Sequence, residues 1–245
     1  MGLVAINVHF GDASAGGPAA TYAAAGAAGV WNNVTGIAGP DYQLVAIDGS
    51  PSGVAVNQQP TTTDFLGTDP TVTGDDAKLL ESGLVTTGAE TCLMFSGVPA
   101  GQYEVLVYAW TPGDPSVMSR TRQDEAPSTV DTGGAWTGAH VEGVTYARYV
   151  VDVGTDGNLP AHSGLAPSMP SAALNGVQIR PLPMGGGGGG GVDAGVIPDP
   201  DAATIEPGPH GKSGGCSTSG GAGGLLLVSL GVLARGARRC APRRR

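Results

Sequence analysis

The sequence predicts an all-β domain over residues 1–183, a sandwich or barrel of short strands with one short helix. Three observations predict it. Short segments alternate with a period of two, and turn-forming Gly, Pro, Asp and Ser separate them. The 245 residues include 43 Gly and 19 Pro but only 13% charged residues, which suits a turn-rich extracellular β protein better than a helical cytosolic enzyme. A unit of about 180 residues can bury roughly 70% of the surface its unfolded chain exposes, enough for a self-sufficient sandwich.

Between Leu3 and Phe10, the residues Val4, Ile6, Val8 and Phe10 alternate with Leu3, Ala5, Asn7 and His9, the period of a strand with one buried face. Gln43–Asp48, Gly53–Asn57, Glu90–Phe95, Gln102–Trp110, Tyr146–Val153 and Ala173–Ile179 read as strands on the same grounds. Ala19 to Ala28 is Ala-rich, and its glycines leave helix and loop equally open. Asp75-Asp-Ala-Lys-Leu-Leu-Glu81 predicts the short helix, with two acidic residues leading good helix formers. The three cysteines do not make a disulfide framework, and Cys92, in the apolar stretch Thr91-Cys-Leu-Met-Phe95, is expected to be a buried free thiol acting as a small hydrophobe.

The composition changes at Met184. Seven consecutive glycines, 185–191, lead through Pro198-Asp-Pro-Asp201 and Pro207-Gly-Pro-His-Gly211 to Cys216. Residues 184–219 are expected to form a disordered linker, because they cannot bury enough apolar surface to offset their ordering entropy. A linker of about 30 residues has a mean reach near 30 Å. Residues 220–245 are expected to be a hydrophobic tail: the apolar run from Gly220 to Ala234, then Arg235, Arg238, Arg239, Arg243, Arg244 and Arg245. As a helix the run would span about 22 Å, short of the roughly 30 Å hydrocarbon core. Its arginines would stay on the cytoplasmic side and leave the preceding domain facing outward.

Charge is split along the chain. Six of the 12 Lys+Arg lie at or beyond Arg235 and all 21 Asp+Glu precede Cys216, so residues 1–215 carry six positive against 21 negative charges, a balance of −15. That balance argues against a nucleic-acid partner. Met1–Phe10 has no basic start, long apolar region or small-residue cleavage site, so a signal peptide for export is expected to begin at an upstream start site.

Cys216 in Ser213-Gly-Gly-Cys-Ser-Thr-Ser219, the apolar run and the Arg-rich end together resemble the MYXO-CTERM sorting tails of myxobacterial surface proteins. The resemblance implies a tail cut near Cys216 by a membrane sorting protease, lipidation of that cysteine, and display at the cell surface or outer membrane. Cys240 would be discarded with the tail or remain inside.

A second resemblance covers most of residues 3–182. The opening strand Ala5–Phe10, then Gly29-Val-Trp-Asn-Asn33, Leu84, Phe95-Ser-Gly-Val-Pro-Ala-Gly-Gln-Tyr103 leading into Val105–Tyr108, and the closing Leu174-Asn-Gly-Val-Gln-Ile179 look like the galactose-binding-like jelly rolls, which include malectin-like and related carbohydrate-binding modules. This implies an antiparallel jelly-roll β-sandwich. Its motifs are largely fold signatures and imply a ligand far less than a fold.

The candidate ligand-binding residues are Trp136, Asn32, Trp31 and Trp110. A flat aromatic beside amide or carboxylate groups can stack on the C–H face of a sugar and hydrogen-bond its hydroxyl edge. Such a shallow site is expected at a loop end, near Trp136 and Asn32. The competing reading is that the tryptophans cap the ends of the core.

Catalytic motifs are scarce. His9, His140, His162 and His210 are widely separated, form no His-x-x-x-His or Cys-x-x-Cys pattern, and are expected at solvent edges without a metal. Ser96 and Ser163 lack the Gly-x-Ser-x-Gly elbow. Asp75-Asp76 and Asp124-Glu125 read as solvated turn or helix-start residues, although two distant acids could converge in a glycosidase site. Asp12, Asp41 and Asp48 in loops leave room for structural calcium. The glycine run lacks a phosphate-loop Lys-Ser/Thr, and Asn33-Val-Thr35 matches a glycosylation sequon without functional weight.

Three functions are therefore expected in descending order. The first is a surface-anchored, non-catalytic binding module for extracellular polysaccharide or glycan, with no cofactor, held at the membrane by its tail. The second is a structural or adhesive surface protein, and the third an extracellular glycan-acting hydrolase.

Overall fold

The computed structural model describes residues 2–35, 41–58, 63–88, 90–124 and 128–182. The chain divides into two units, Met1–Gly186 with Arg239–Arg245, and Gly187–Arg238. The second unit, and with it the linker, Cys216 and the apolar run, lies outside the described residues.

Within the first unit the elements run β1 (Ile6–Gly11), β2 (Trp31–Thr35), β3 (Tyr42–Val45), β4 (Pro51–Gln58), β5 (Thr63–Leu66), α1 (Gly74–Leu80), β6 (Ser82–Thr86) and β7 (Thr91–Ser96). They continue with β8 (Gly101–Tyr108), β9 (Ser119–Arg122), β10 (Val130–Thr132), β11 (Tyr146–Val153), β12 (Leu159–Leu165), β13 (Ala172–Leu174) and β14 (Gly176–Pro181). The all-β expectation holds, with one short helix among the described residues. None of the described helices is long and apolar enough to cross a membrane. The Ala-rich stretch 19–28 is a strap of turns, not a helix.

Strands pair into a five-stranded sheet ordered β11-β8-β14-β1-β2, a six-stranded sheet ordered β10-β9-β12-β7-β4-β3, and a three-stranded sheet ordered β13-β6-β5. All pairings are antiparallel except β1 with β2. The alternation read in β1 does its work here. Ile6, Val8 and Phe10 join Val105, Val107, Val177 and Ile179 from the five-stranded sheet, and these pack with Val54, Val56, Leu93, Phe95, Leu159 and Ala161 from the six-stranded one. Leu84 and Leu174 bring the small sheet into the same core. A hydrogen bond of 2.8 Å between the Thr121 and Tyr149 hydroxyls links β9 to β11 within this interior.

One expected strand, Ala173–Ile179, is two. β13 pairs with β6 in the small sheet, whereas β14 pairs with β1 and β8 in the five-stranded sheet. Asn175 makes the corner. Its Oδ1 accepts from the Trp110 amide at 2.7 Å, and its Nδ2 donates to the carbonyls of Leu80 and Ser82 at 2.9 and 3.1 Å. Three buried backbone groups at or just beyond the ends of elements are satisfied by one side chain, which is why the chain can change sheets there.

Cys92 departs from expectation: it is disulfide-bonded and is not a free thiol.

Candidate functional site

The outer face of the five-stranded sheet should be solvated in a simple sandwich, yet three of its polar residues, Asn7, His9 and Gln178, are buried. Register places Arg148, Leu106, Gln178, Asn7 and Trp31 in one row across β11, β8, β14, β1 and β2. Tyr146, Tyr108, Gly176, His9 and Asn33 form the next row. Asn7, His9 and Gln178 are each 0% exposed. Two elements cover them.

The first cover is the strap. Asn7 Nδ2 donates to the Ala27 carbonyl at 3.0 Å, Gln178 Nε2 donates to the carbonyls of Ala23 and Ala27, and the Trp31 indole N–H donates to the Tyr22 carbonyl at 3.0 Å. The Ala25 amide donates to the Tyr108 hydroxyl, which itself donates to Gln178 Oε1 at 2.6 Å. The strap must lie close. A Cβ on Gly26 would sit 2.3 Å from Gln178 Oε1, so glycine is required by contact.

The second cover is α1. A Cβ on Gly176 would lie 2.7 Å from the Val8 carbonyl oxygen and 3.0 Å from Leu79 Cδ1, so α1 seats its buried Leu79 directly over a bare point in the sheet. The Ala19 amide donates to Asp75 Oδ1 at 3.2 Å and ties the strap to the first turn of α1.

Where these two covers meet the loop between β10 and β11, a polar and aromatic cluster forms. The Tyr22 hydroxyl donates to Asp76 Oδ1 at 2.5 Å and lies 2.6 Å from His140 Nε2. His140 Nε2 is also 3.1 Å from Asp76 Oδ1, and its Nδ1 is 3.1 Å from Thr145 Oγ1. With Tyr22 donating to the carboxylate, the neutral imidazole carries its proton on Nε2 and accepts from Thr145 on Nδ1. Tyr108 and Trp136 stand edge-on to His140, with ring centroids 5.3 and 5.5 Å away, and Tyr22 is tilted against Trp31 at 5.9 Å.

Of the residues expected to bind ligand, the structure brings the three tryptophans into one cluster and leaves Asn32 outside it. Trp136 is half-buried at the surface of this cluster, and Trp31 is buried in its wall. Trp110 lies in the apolar layer of the same cluster, 1% exposed, its indole N–H donating to the Gly134 carbonyl at 2.8 Å. Core packing, not ligand contact, accounts for it. Asn32 does not join the group: its amide donates to the carbonyls of Asn7 and Val45 and accepts from the Val45 amide, clamping β2 between β1 and β3.

The histidines correct the solvent-edge expectation. His9 is 0% exposed with Nδ1 2.7 Å from Asn33 Oδ1, and the His140 side chain is 7% exposed. His162, also 0% exposed, has Glu90 and Asp124 within 3.4 and 3.1 Å of its two nitrogens, and Arg122 bonds both carboxylates. His210 lies outside the described residues, as does Glu125.

Burial drives down the proton affinity of His9, against the pull of Asn33 and the Ser82 backbone, and that of His140, against the pull of Asp76. Burial also works against the charge on Glu90, but His162 and Arg122 outweigh it and hold the carboxyl down at about 2. Tyr22 and Tyr108 are raised, both chiefly by burial, so both phenols stay protonated donors.

The sign for stability follows. A histidine whose folded-state affinity lies below the ordinary 6.5 binds fewer protons folded than unfolded, so stability is intact above 6.5 and is lost as pH falls toward the lowered value. Denaturation midpoints measured from pH 7.5 to pH 5 are expected to drop on the acid side, and less steeply in His140→Asn. A midpoint flat across that window would contradict burial of these imidazoles in neutral form.

Among the described residues no group of three or more His, Cys, Asp or Glu is arranged to hold a metal ion. Asp12 and Asp48 accept from Ser14 and Ser50 in local turns, and Asp41 accepts from Asn57.

No protein-family model matches the chain, and no curated protein matches it. Among solved structures it is similar to the crystal structure of protein YXIM from Bacillus subtilis, with 12% identity and a TM-score of 0.43, covering 73% of this chain and 40% of that one. It is also similar to the enzymatically active domain of bacteriophage CBA120 tailspike protein 4, with 14% identity and a TM-score of 0.21, covering 53% of this chain and 18% of the other. The chain thus spans well under half the length of each.

Proposed function

We propose that this chain is a non-catalytic module that binds extracellular polysaccharide and is displayed at a bacterial surface by its C-terminal tail. The observation that carries the binding role is Trp136, half-buried at the surface and edge-on to His140, which in turn is 3.1 Å from Asp76, whose side chain is 32% exposed. An aromatic face and an accessible carboxylate within one small patch are what a sugar ring needs: the first takes the C–H face, the second a hydroxyl. Tyr22, Trp31 and His140 form the wall, and Asn32 and Trp110 serve the scaffold.

The galactose-binding-like jelly roll is the finer fold reading, supported by two large facing sheets and by the return of the last strand to pair with the first. Surface or outer-membrane display, processing or lipidation at Cys216 by a sorting protease, and membrane attachment through residues 220–245 rest on the tail resemblance.

The Asp76–Tyr22–His140 arrangement also favours a second reading, a glycan-acting hydrolase, because hydrogen-bonded carboxylate and imidazole groups are the ordinary parts of acid–base chemistry. A single experiment separates them. The full chain incubated with soluble polysaccharides is expected to co-migrate with at least one in affinity electrophoresis and to release no reducing ends. Trp136→Ala is expected to weaken retention at least about tenfold, consistent with loss of a stacking contact together with its buried area. No retention by any polysaccharide from a folded sample would remove the binding reading, and release of reducing ends would install the hydrolase.

A further inference from the structure

We infer that the saccharide taken by this site bears a free amine, its ammonium received by Asp76. The inference rests on the binding role proposed above and names the ligand class. Both short contacts to Asp76 converge on Oδ1, from Tyr22 and His140, so among the described residues Oδ2 has no partner. That oxygen belongs to a carboxylate one third exposed, and the imidazole beside it is held neutral, so the charge of Asp76 is left for a ligand.

The surrounding charges point the same way. The described residues contain five Lys and Arg, and every one is already held by carboxylate: Lys78 by Asp75, Arg120 by Asp131, Arg122 by Glu90 and Asp124, Arg148 by Glu104 and Glu142, and Arg180 by Glu104. No described cation is free to receive a uronate or sulfate. The balance of −15 over residues 1–215 repels acidic polymers and concentrates basic ones near the surface. At the site itself, an ammonium gains the charge attraction of the carboxylate, which the Tyr22 hydroxyl and His140 already bond on its other oxygen. A hydroxyl would not gain that charge term.

The test uses the full chain in titration calorimetry against three probes: oligomers of glucosamine, the same oligomers N-acetylated, and oligomers of a uronic acid. Glucosamine oligomers are expected to bind at least about tenfold more tightly than the acetylated ones, the size of one partly exposed charge contact, with the ratio shrinking as salt rises and the uronic acid oligomers not binding. Asp76→Asn is expected to bring the ratio close to one. Asp114→Asn, which removes the same charge from an exposed turn where Asp114 accepts from Ser116, is expected to leave it unchanged. Equal affinity for aminated and acetylated oligomers would overturn the inference while leaving the binding module intact. Equal losses in Asp114→Asn and Asp76→Asn would overturn it too, by assigning the preference to the general field. No binding of any of the three probes would overturn it as well, while the glycan reading on which it stands would fall only if no polysaccharide at all were retained.

Discussion

Trp110→Ala is expected to destabilise the protein by about 3–5 kcal/mol, the range for truncating a fully buried aromatic. The expectation follows from where the ring sits. It packs with Leu79, Leu80, Leu106, Tyr108 and Trp31 in the layer between the five-stranded sheet and α1. Its indole N–H is matched by the Gly134 carbonyl and its amide by Asn175. Alanine would leave a cavity and strip the Gly134 carbonyl of its partner, two effects with the same sign. For a domain of this size each 1 kcal/mol moves Tm by roughly 2–4 °C, so thermal and denaturant unfolding both resolve it. A loss below about 1 kcal/mol would mean the ring is not the keystone of that layer.

Gln178→Leu is the second large effect, on the order of 3 kcal/mol, with a consequence for binding that Trp110→Ala lacks. Gln178 accepts from Tyr108 and donates to Asn7 Oδ1 and to the carbonyls of Ala23 and Ala27, all under the strap. Leucine keeps the volume but leaves Asn7 Oδ1 without the donor Gln178 supplies and the Tyr108 hydroxyl proton without its acceptor, at about 1–3 kcal/mol for each that stays dry, while the Ala23 and Ala27 carbonyls keep the Gly26 and Asn7 donors. The strap carries Tyr22, so its amides should exchange faster with solvent, and the contact between Tyr22 and Asp76 should loosen. Unchanged exchange over residues 19–28 in Gln178→Leu would show that the strap is held by something else.

The sequence made the core strands legible where one face is apolar and the other polar. Ile6, Val8 and Phe10 are in the core, as their alternation implies. β12 was hidden because Leu159-Pro-Ala-His-Ser-Gly-Leu165 is buried along nearly all its length, so no polar face exposes the period, and Pro160 and Gly164 read as turn residues. The Asn175 corner was hidden because the segment alternates smoothly through it, and the sheet change is enforced by backbone groups of Trp110, Leu80 and Ser82 far away in sequence.

The site was half legible. Trp136 and Trp31 stand out as rare aromatics beside turns. Asp76 and His140 do not, because Tyr22 reaches them across 54 and 118 residues, and no local pattern encodes a meeting of strap, helix start and loop. Burial of His9, Asn7 and Gln178 was illegible for a related reason: a polar strand face predicts solvent, and only the strap and α1 reverse that.

The most direct measurement is the amide and indole spectrum of the isotopically labelled full chain titrated with a soluble glucosamine oligomer. The account predicts saturable shifts centred on the Trp136 indole, His140 and Tyr22, with the β-sheet core unmoved, and their loss in Trp136→Ala. Saturable shifts elsewhere on the surface, with Trp136, His140 and Tyr22 silent, would contradict it.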